Sequence, residues 1–252
     1  MPRPATFAAA AALALIAASC ERNEPRQGQT YTWPAGESAR IDEALAPASP
    51  LAERDGLAAA ILIDVSTSMA RAPRGATEPK IVSAKQAALD LVDQFARYAA
   101  DHPEEPVMLG IYEFSTRRGM PAARPVVPMA PPDRARAEAG IDAMRPDGDT
   151  PIGEAIIAGK QALDSTGLTR RHLLVITDGE NTDSYDPGAV AAALGRRPPI
   201  ERPSLYFVAF DINATRFTDV KGAGALVLEA ADSRGLAATI ESLLTGQILV
   251  ER

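Results

Sequence analysis

The chain has 252 residues, of which 46% are apolar, 23% charged and 5% aromatic, and its formal net charge is −7. This is the composition of a globular protein, so it excludes disordered, collagen-like and coiled-coil chains. The acidic balance argues against a nucleic-acid-binding protein, because no basic field would offset the phosphates. One cysteine and two histidines exclude an intrachain disulfide and a multi-cysteine metal cluster, and leave little for zinc or a Ser-His-Asp triad.

The first 20 residues have the pattern of an export signal. Arg3 precedes an apolar, alanine-rich run over 7–18 that is too short to span a bilayer and ends in Ala17-Ala18-Ser19-Cys20. This ending resembles the lipobox of bacterial lipoproteins, with Ala17 where leucine is usual. We expect residues 1–19 to be a signal peptide and Cys20 to be lipidated, which would anchor the protein to a membrane of the bacterial cell envelope. Plain secretory cleavage is the alternative, since the same residues fit a small-x-small site.

Residues 20–55 are predicted to be a flexible, lipid-anchored tether. Prolines alternate there with polar and small residues, and no helical or strand period lasts. We expect two pieces, 31–33 with the only tryptophan and 41–45, to dock on the domain that follows. That domain is assigned to residues 56–252, and none of its segments is long and apolar enough to span a membrane.

The remainder of the chain alternates predicted strands with predicted helices. Apolar runs rich in β-branched residues predict buried strands at 57–65 and 172–177, and amphipathic spacing predicts a long helix over 80–99. Two prolines place a strand at 124–129 on a sheet edge, because proline cannot donate to a ladder. The other predicted strands are 107–114, 205–210 and 225–228, and the other predicted helices are 133–144, 151–163, 187–194 and 232–244. This alternation predicts an α/β fold with a doubly wound, mostly parallel sheet flanked by helices.

Oxygen-bearing side chains gather at three predicted strand ends or helix starts. Asp64-Val65-Ser66-Thr67-Ser68 ends the first core strand, Thr150 precedes the helix at 151–163, and Thr177-Asp178-Gly179 ends the strand at 172–177. Ligands of parallel sheets bind at the carboxyl ends of the strands. A donor set of hydroxyl and carboxylate oxygens favours Mg²⁺, then Mn²⁺ or Ca²⁺. Because hydroxyls offset little of its charge, such an ion would stay open to an anionic group from outside.

These motifs resemble those of the von Willebrand factor type A (vWA) domain with a metal-ion-dependent adhesion site. Asp64, Ser66 and Ser68 match the DxSxS motif of that family, Thr150 matches its lone threonine and Asp178 its T-D-G aspartate. The resemblance implies a six-stranded sheet in the order 3-2-1-4-5-6, with the metal over strands one and four. It also implies direct coordination by the serines and often the threonine, aspartates acting through water, and one ligand from an Asp or Glu of a protein partner.

The resemblance covers about residues 56–244, including a first-helix pattern at Lys80-Ile81 and Ala84-Lys85, and the chain departs from it at one place. The stretch 71–79 is longer than usual between the DxSxS motif and the first helix, which puts the shape of the site's rim in question. Glu180, Asn181 and Asp211 are further candidates for the rim, with loop shaping or turn formation as their other explanation.

We therefore expect a protein that is not an enzyme and that binds a protein partner through a metal site. Two other classes stay open. A magnesium-dependent phosphatase of the haloacid dehalogenase type also uses an aspartate after its first parallel strand, but Ser66 stands where its acid/base aspartate would be, and His172 lies at the far end of its strand. The other class is a structural or scaffold domain whose metal site is idle.

Overall fold

A six-stranded sheet with helices on both faces organises residues 35–49 and 54–250, the part of the chain that the computed structural model describes. The strand order is β3-β2-β1-β4-β5-β6, and every neighbouring pair is parallel except β2 and β3. The strands are β1 (Arg54–Asp64), β2 (Val107–Phe114), β3 (Ala123–Ala130), β4 (Leu168–Thr177), β5 (Ser204–Phe210) and β6 (Leu226–Ala230). The predicted doubly wound, mostly parallel fold is confirmed, with the proline-bearing strand at an edge.

The helices enclose the sheet in two layers. They are α1 (Ala35–Ala44), α2 (Lys80–Asp101), α3 (Arg134–Ala143), α4 (Ile152–Asp164), α5 (Pro187–Arg196), α6 (Thr218–Gly222) and α7 (Ser233–Leu243). Among the described residues, no helix combines the length and the apolar character that crossing a membrane requires.

Strand β1 explains why the central strands show no alternating pattern. Leu57, Ile61 and Ile63 pack into the core formed with α2, α3 and α7, whereas Ala58 and Leu62 pack into the core formed with α1, α4 and α5. Both faces of the strand are therefore buried, so both sets of positions are apolar. This double burial holds the end of β1 in a fixed place at the centre of the sheet.

Strand β4 begins four residues before its predicted start. Arg170 and Arg171 pair with Leu57 and Ala58 of β1 as regular strand residues. The arginines at these positions make this part of the strand hard to predict from the sequence, because charged side chains are rarely buried unless they are paired. Arg171 is buried and donates to Asp164 of α4 over 3.0 Å.

Helix α1 lies in the segment whose sequence shows no lasting period. Two apolar anchors, Ile41 in the helix and Leu45 directly after it, are buried in the same core as α4 and α5, as expected for 41–45. The carbonyl oxygens of Ala44 and Leu45 accept hydrogen bonds from Gln161 Nε2 (2.9 Å) and Lys160 Nζ (2.7 Å). Two anchors four residues apart are too few to show a helical period, so the helix could not be predicted from the sequence. Its contacts with the rest of the domain stabilise it. Residues 31–33 lie outside the described residues.

The contact between α1 and α4 contains a buried charge cluster. Lys160 is fully buried and donates to Asp164 over 2.5 Å, and the other oxygen of that carboxylate accepts from Arg171. A single carboxylate thus serves two buried cations. Burial raises the pKa of Asp164, while Lys160 and Arg171 oppose that change.

We predict that Asp164→Ala lowers the free energy of unfolding by about 3–5 kcal/mol, because it leaves two buried cations without their carboxylate. Urea unfolding measures the change. Asp42→Ala is the matched control, since its carboxylate pairs with Arg196 at the surface over 3.2 Å and such exposed pairs contribute about 0–1 kcal/mol. Equal losses in the two variants would contradict the assignment of Asp164 as the centre of the cluster.

Candidate metal site

The parallel pairing of β1 and β4 brings the two motif aspartates together. Ile63 lies opposite Ile176 in this pairing, so both strands end at the same level of the sheet. Asp64 is the last residue of β1, and Asp178 follows the last residue of β4. The site is therefore formed where two central strands end, as the sequence predicts.

The carboxylate of Asp64 ties the two strand ends to each other. Its side chain is fully buried, its Oδ1 accepts a hydrogen bond from the backbone N–H of Ser66 (2.7 Å), and its Oδ2 accepts from Thr177 Oγ1 (2.6 Å). Burial raises the pKa of Asp64 to about 6; the nearby Asp178 acts in the same direction, and the hydrogen bonds from Thr177 and Ser66 oppose it.

The hydroxyl groups of the predicted site form a connected set beside these carboxylates. Ser66 Oγ lies 2.9 Å from Ser68 Oγ, which donates to Asp178 Oδ1 over 2.6 Å. A Cβ built on Gly179 would lie 3.5 Å from Thr150 Oγ1 and 3.9 Å from Ser68 Oγ. Three loops that are far apart in the sequence thus bring all five predicted ligands to one place.

The backbone around Thr150 is held by the loop that follows β4. The N–H of Thr150 donates to Thr182 Oγ1 (2.9 Å), and its carbonyl oxygen accepts from the N–H of Thr182 (3.1 Å). Asn181 Oδ1 accepts from the N–H of Ile152 (2.8 Å), which satisfies one free donor at the start of α4. The side chain of Asn181 therefore shapes the loop.

The other two rim candidates differ in their surroundings. Glu180 is exposed and pairs with Arg216 over 3.1 Å. Asp211 follows β5 with a positive φ of 55°, and its Oδ2 lies 3.1 Å from Lys80 Nζ. Lys80 in turn lies 2.7 Å from Asp178 Oδ2, so Asp211 is connected to the site through this lysine.

The long stretch 71–79 leaves the predicted ligands undisturbed. The N–H of Lys80 donates to the carbonyl oxygen of Arg71 (2.9 Å), and the N–H of Arg71 donates to the carbonyl oxygen of Ser68 (3.0 Å). The two ends of the stretch are therefore held next to each other beside Ser68, and the residues between them project outward. Most of them are exposed.

Sequence reasoning missed two residues of the site, Lys80 and Thr177, as well as the hairpin loop 115–122. Thr177 directly precedes Asp178, so its place beside the site was visible; the partner of its hydroxyl was not. In the hairpin loop, Thr116 donates from its N–H to the carbonyl oxygen of Asp149 (3.1 Å) and from its hydroxyl to Asp183 (2.7 Å). The loop thus adjoins the segment that carries Thr150.

The donor set fits a hard divalent cation. Its members are hydroxyl and carboxylate oxygens, which Mg²⁺ and Ca²⁺ prefer. Asp178 Oδ2 is buried, and it accepts no hydrogen bond within the part of the chain that the structure describes. It forms an ion pair with Lys80, whose geometry is not that of a hydrogen bond. In the same part of the chain, no three His, Cys, Asp or Glu residues come together, so a metal here depends on the serine and threonine hydroxyls.

We predict that metal-free wild-type protein loses stability relative to Asp64→Asn as the pH rises from 4 to above 6. The folded carboxyl keeps its proton up to about pH 6, whereas an ordinary aspartate loses it near 3.8, so the folded state binds more protons between these values. The relative loss is about 3 kcal/mol when the shift is converted at 1.36 kcal/mol per pKa unit. Urea unfolding in EDTA at several pH values measures it, and parallel curves for the two proteins would contradict the prediction.

Comparisons with known proteins agree with this geometry. Residues 59–180 match the family model of the von Willebrand factor type A domain, and this range contains all five predicted ligands. Curated protein sequences give no significant match.

Several solved structures share the fold at low sequence identity. The minor pilin PilB from Streptococcus sanguinis has 12% identity and a TM-score of 0.60, over 80% of this chain and 63% of that one. A von Willebrand factor type A protein from Catenulispora acidiphila has 19% identity and a TM-score of 0.61, over 79% and 44%. The pilus adhesin SpaC from Lactobacillus rhamnosus GG has 12% identity and a TM-score of 0.61, over 78% and 31%. The chain thus spans less than two thirds of the length of these three proteins, and the fold that it shares with them is that of a von Willebrand factor type A domain.

Proposed function

We propose that the protein binds another protein of the bacterial cell envelope through a divalent-cation site on its vWA domain. Asp64, Ser66, Ser68, Thr150 and Asp178 would hold the cation, and an Asp or Glu side chain of the partner would complete its coordination. The observation that carries the proposal is the meeting of three loops beside Asp178: the Ser68 hydroxyl donates to its carboxylate, Ser66 Oγ lies 2.9 Å from Ser68 Oγ, and Thr150 Oγ1 lies beside Gly179. Such a set of hydroxyl and carboxylate oxygens fits a hard divalent cation.

A bound Mg²⁺, Mn²⁺ or Ca²⁺ would supply a positive centre that neutral hydroxyls leave partly unneutralised. Hydrogen bonds within the chain hold the ligand oxygens in position: Thr177 donates to Asp64, and Ser68 donates to Asp178. The net charge of −7 does not prevent a carboxylate from approaching, because diffuse surface charge is screened over about 8 Å at physiological salt.

Three loops around the site would select the partner. The segments 71–79 and 181–187 flank the site, and the hairpin loop 115–122 adjoins the Thr150 segment. Arg124 of β3 anchors this loop, because its Nη1 donates to the carbonyl oxygens of Ser115 (3.0 Å) and Pro121 (2.8 Å). That anchoring leaves Arg118 exposed and Met120 with 54% of its surface exposed. A well-anchored loop that exposes a positively charged side chain and an apolar side chain suits an acidic partner segment.

The structural neighbours favour a role in protein interaction. By name, PilB is a minor pilin and SpaC is a pilus adhesin. We infer that the chain is not an enzyme, since Ser66 replaces the acid/base residue that a phosphatase of this type requires. His172 does not substitute for it, because it is buried in β4 about 20 Å of extended strand before Asp178.

We predict that Ser66→Ala combined with Ser68→Ala removes both cation binding and partner capture. At a cation concentration about one hundred times the dissociation constant, wild type gains about 2.7 kcal/mol of unfolding free energy, and the double variant gains none. Capture from envelope extract should depend on Mg²⁺, fail in EDTA and fail with the double variant. Ser165→Ala is the control, since it removes an exposed hydroxyl that donates only to Ala162 among the described residues.

The two measurements, cation-dependent unfolding and partner capture, would contradict different parts of the proposal. A melting curve that stays unchanged in Mg²⁺, Mn²⁺ and Ca²⁺ would show an idle site, as in a scaffold domain. A partner recovered equally well by the double variant would show that recognition lies elsewhere on the domain.

We also propose that a lipid on Cys20 anchors the protein to the envelope. Cys20 lies outside the described residues, so the proposal rests on the sequence pattern. Wild type should partition with membranes, and Cys20→Ser should be released or left unprocessed, because the thioether that carries the lipid cannot form. Ser19→Ala keeps a small residue before the cysteine and should stay with membranes. A wholly soluble wild type with unmodified Cys20 would refute the anchor.

A further inference from the structure

Lys80 places a fixed positive charge at the edge of the candidate metal site. It is the first residue of α2, and its side chain is only 8% exposed. Its Nζ lies 2.7 Å from Asp178 Oδ2, while the other oxygen of that carboxylate, Oδ1, accepts from Ser68. The ammonium therefore neutralises one of the two carboxylates on which cation binding depends.

Two contacts hold the lysine at this place. Its N–H donates to the carbonyl oxygen of Arg71, which closes the stretch 71–79 at the start of α2. Its ammonium also lies 3.1 Å from Oδ2 of Asp211, a residue with φ of 55° whose N–H donates to the carbonyl oxygen of Ala230 (2.8 Å). A non-glycine residue in the left-handed region is uncommon, and here it points a second carboxylate at Lys80.

We propose that Lys80 is a built-in counter-cation that pairs with Asp178 in the metal-free protein and thereby weakens the affinity of the site for divalent cations. This inference rests on the metal site of the proposed function. A divalent cation held near Asp178 would be repelled by the ammonium, and repulsion between charges is strong in a partly buried place. The cation would also compete with the ammonium for the same carboxylate.

Asp211 gives the ammonium a second partner. When Asp178 serves a bound cation, Lys80 keeps an ion pair with Asp211, so it is not left as an unpaired buried charge. Lys80 and Asp211 therefore act in opposite directions: the lysine lowers the cation affinity, and the aspartate limits that effect. A residue that only positioned Asp178 would have the reverse sign, because its loss would weaken cation binding.

The test measures Mg²⁺ binding by isothermal titration calorimetry and thermal unfolding in EDTA. Lys80→Met keeps the buried apolar stem and removes the charge. We expect it to melt at a lower temperature in EDTA, because Asp178 and Asp211 lose their cation, and to bind Mg²⁺ about tenfold more tightly. Lys221→Met, which removes the same charge from an exposed position, should bind Mg²⁺ like wild type.

Asp211→Asn is the second variant and carries the opposite prediction, which keeps the test decisive if Lys80→Met does not fold. With one acceptor removed, the ammonium stays on Asp178, so Mg²⁺ binding should weaken. Equal or weaker binding by Lys80→Met, or tighter binding by Asp211→Asn, would overturn the proposal while leaving the proposed function intact.

The test also separates this proposal from the proposed function. Binding by Lys80→Met but not by wild type would support the role of Lys80 and refute a working metal site in the natural protein. Absence of binding in wild type and in both variants would overturn the two proposals together.

Discussion

The hydrogen bond from Thr177 to Asp64 joins the two strands on which the site depends. It links the end of β4 to the end of β1 through a fully buried carboxylate, and the register of the sheet makes it possible by setting Ile63 opposite Ile176. A displacement of either strand by one residue would turn the motif side chains to the other face of the sheet. The two hydrophobic cores prevent this, because both faces of β1 are already filled.

Bringing two carboxylates together inside a protein carries an electrostatic cost, and the metal-free chain reduces it in two ways. Burial raises the pKa of Asp64 to about 6, and the two hydrogen bonds that its carboxylate accepts oppose this rise. Asp178 accepts a hydroxyl on one oxygen and faces the Lys80 ammonium with the other. These contacts offset part of the electrostatic cost of the two carboxylates. They also mean that cation binding is a competition with charges of the chain itself.

Helix α4 connects the candidate metal site to the contact with α1. Its first N–H is held by Asn181 beside the site, and its last turns hold α1 through Lys160 and Gln161. The helix has 13 residues and is about 20 Å long. The carboxyl end of α1 is thus held at the end of α4 that lies away from the site.

The sequence by itself determined the six strands, five of the seven helices, the sheet type and the five residues that meet at the strand ends, because each depends on local periodicity or on a short motif. Only the tertiary structure decided that residues 35–44 form a helix, that β4 starts among arginines, and that Lys80 faces Asp178 and Asp211. The helix shows no period because it has only two apolar anchors, and the other two cases share one physical reason. Local periodicity reports which side of an element is apolar, but a buried charge such as Lys80 or Arg171 is acceptable only when a carboxylate from a distant part of the chain reaches it, and that distance is set by packing alone.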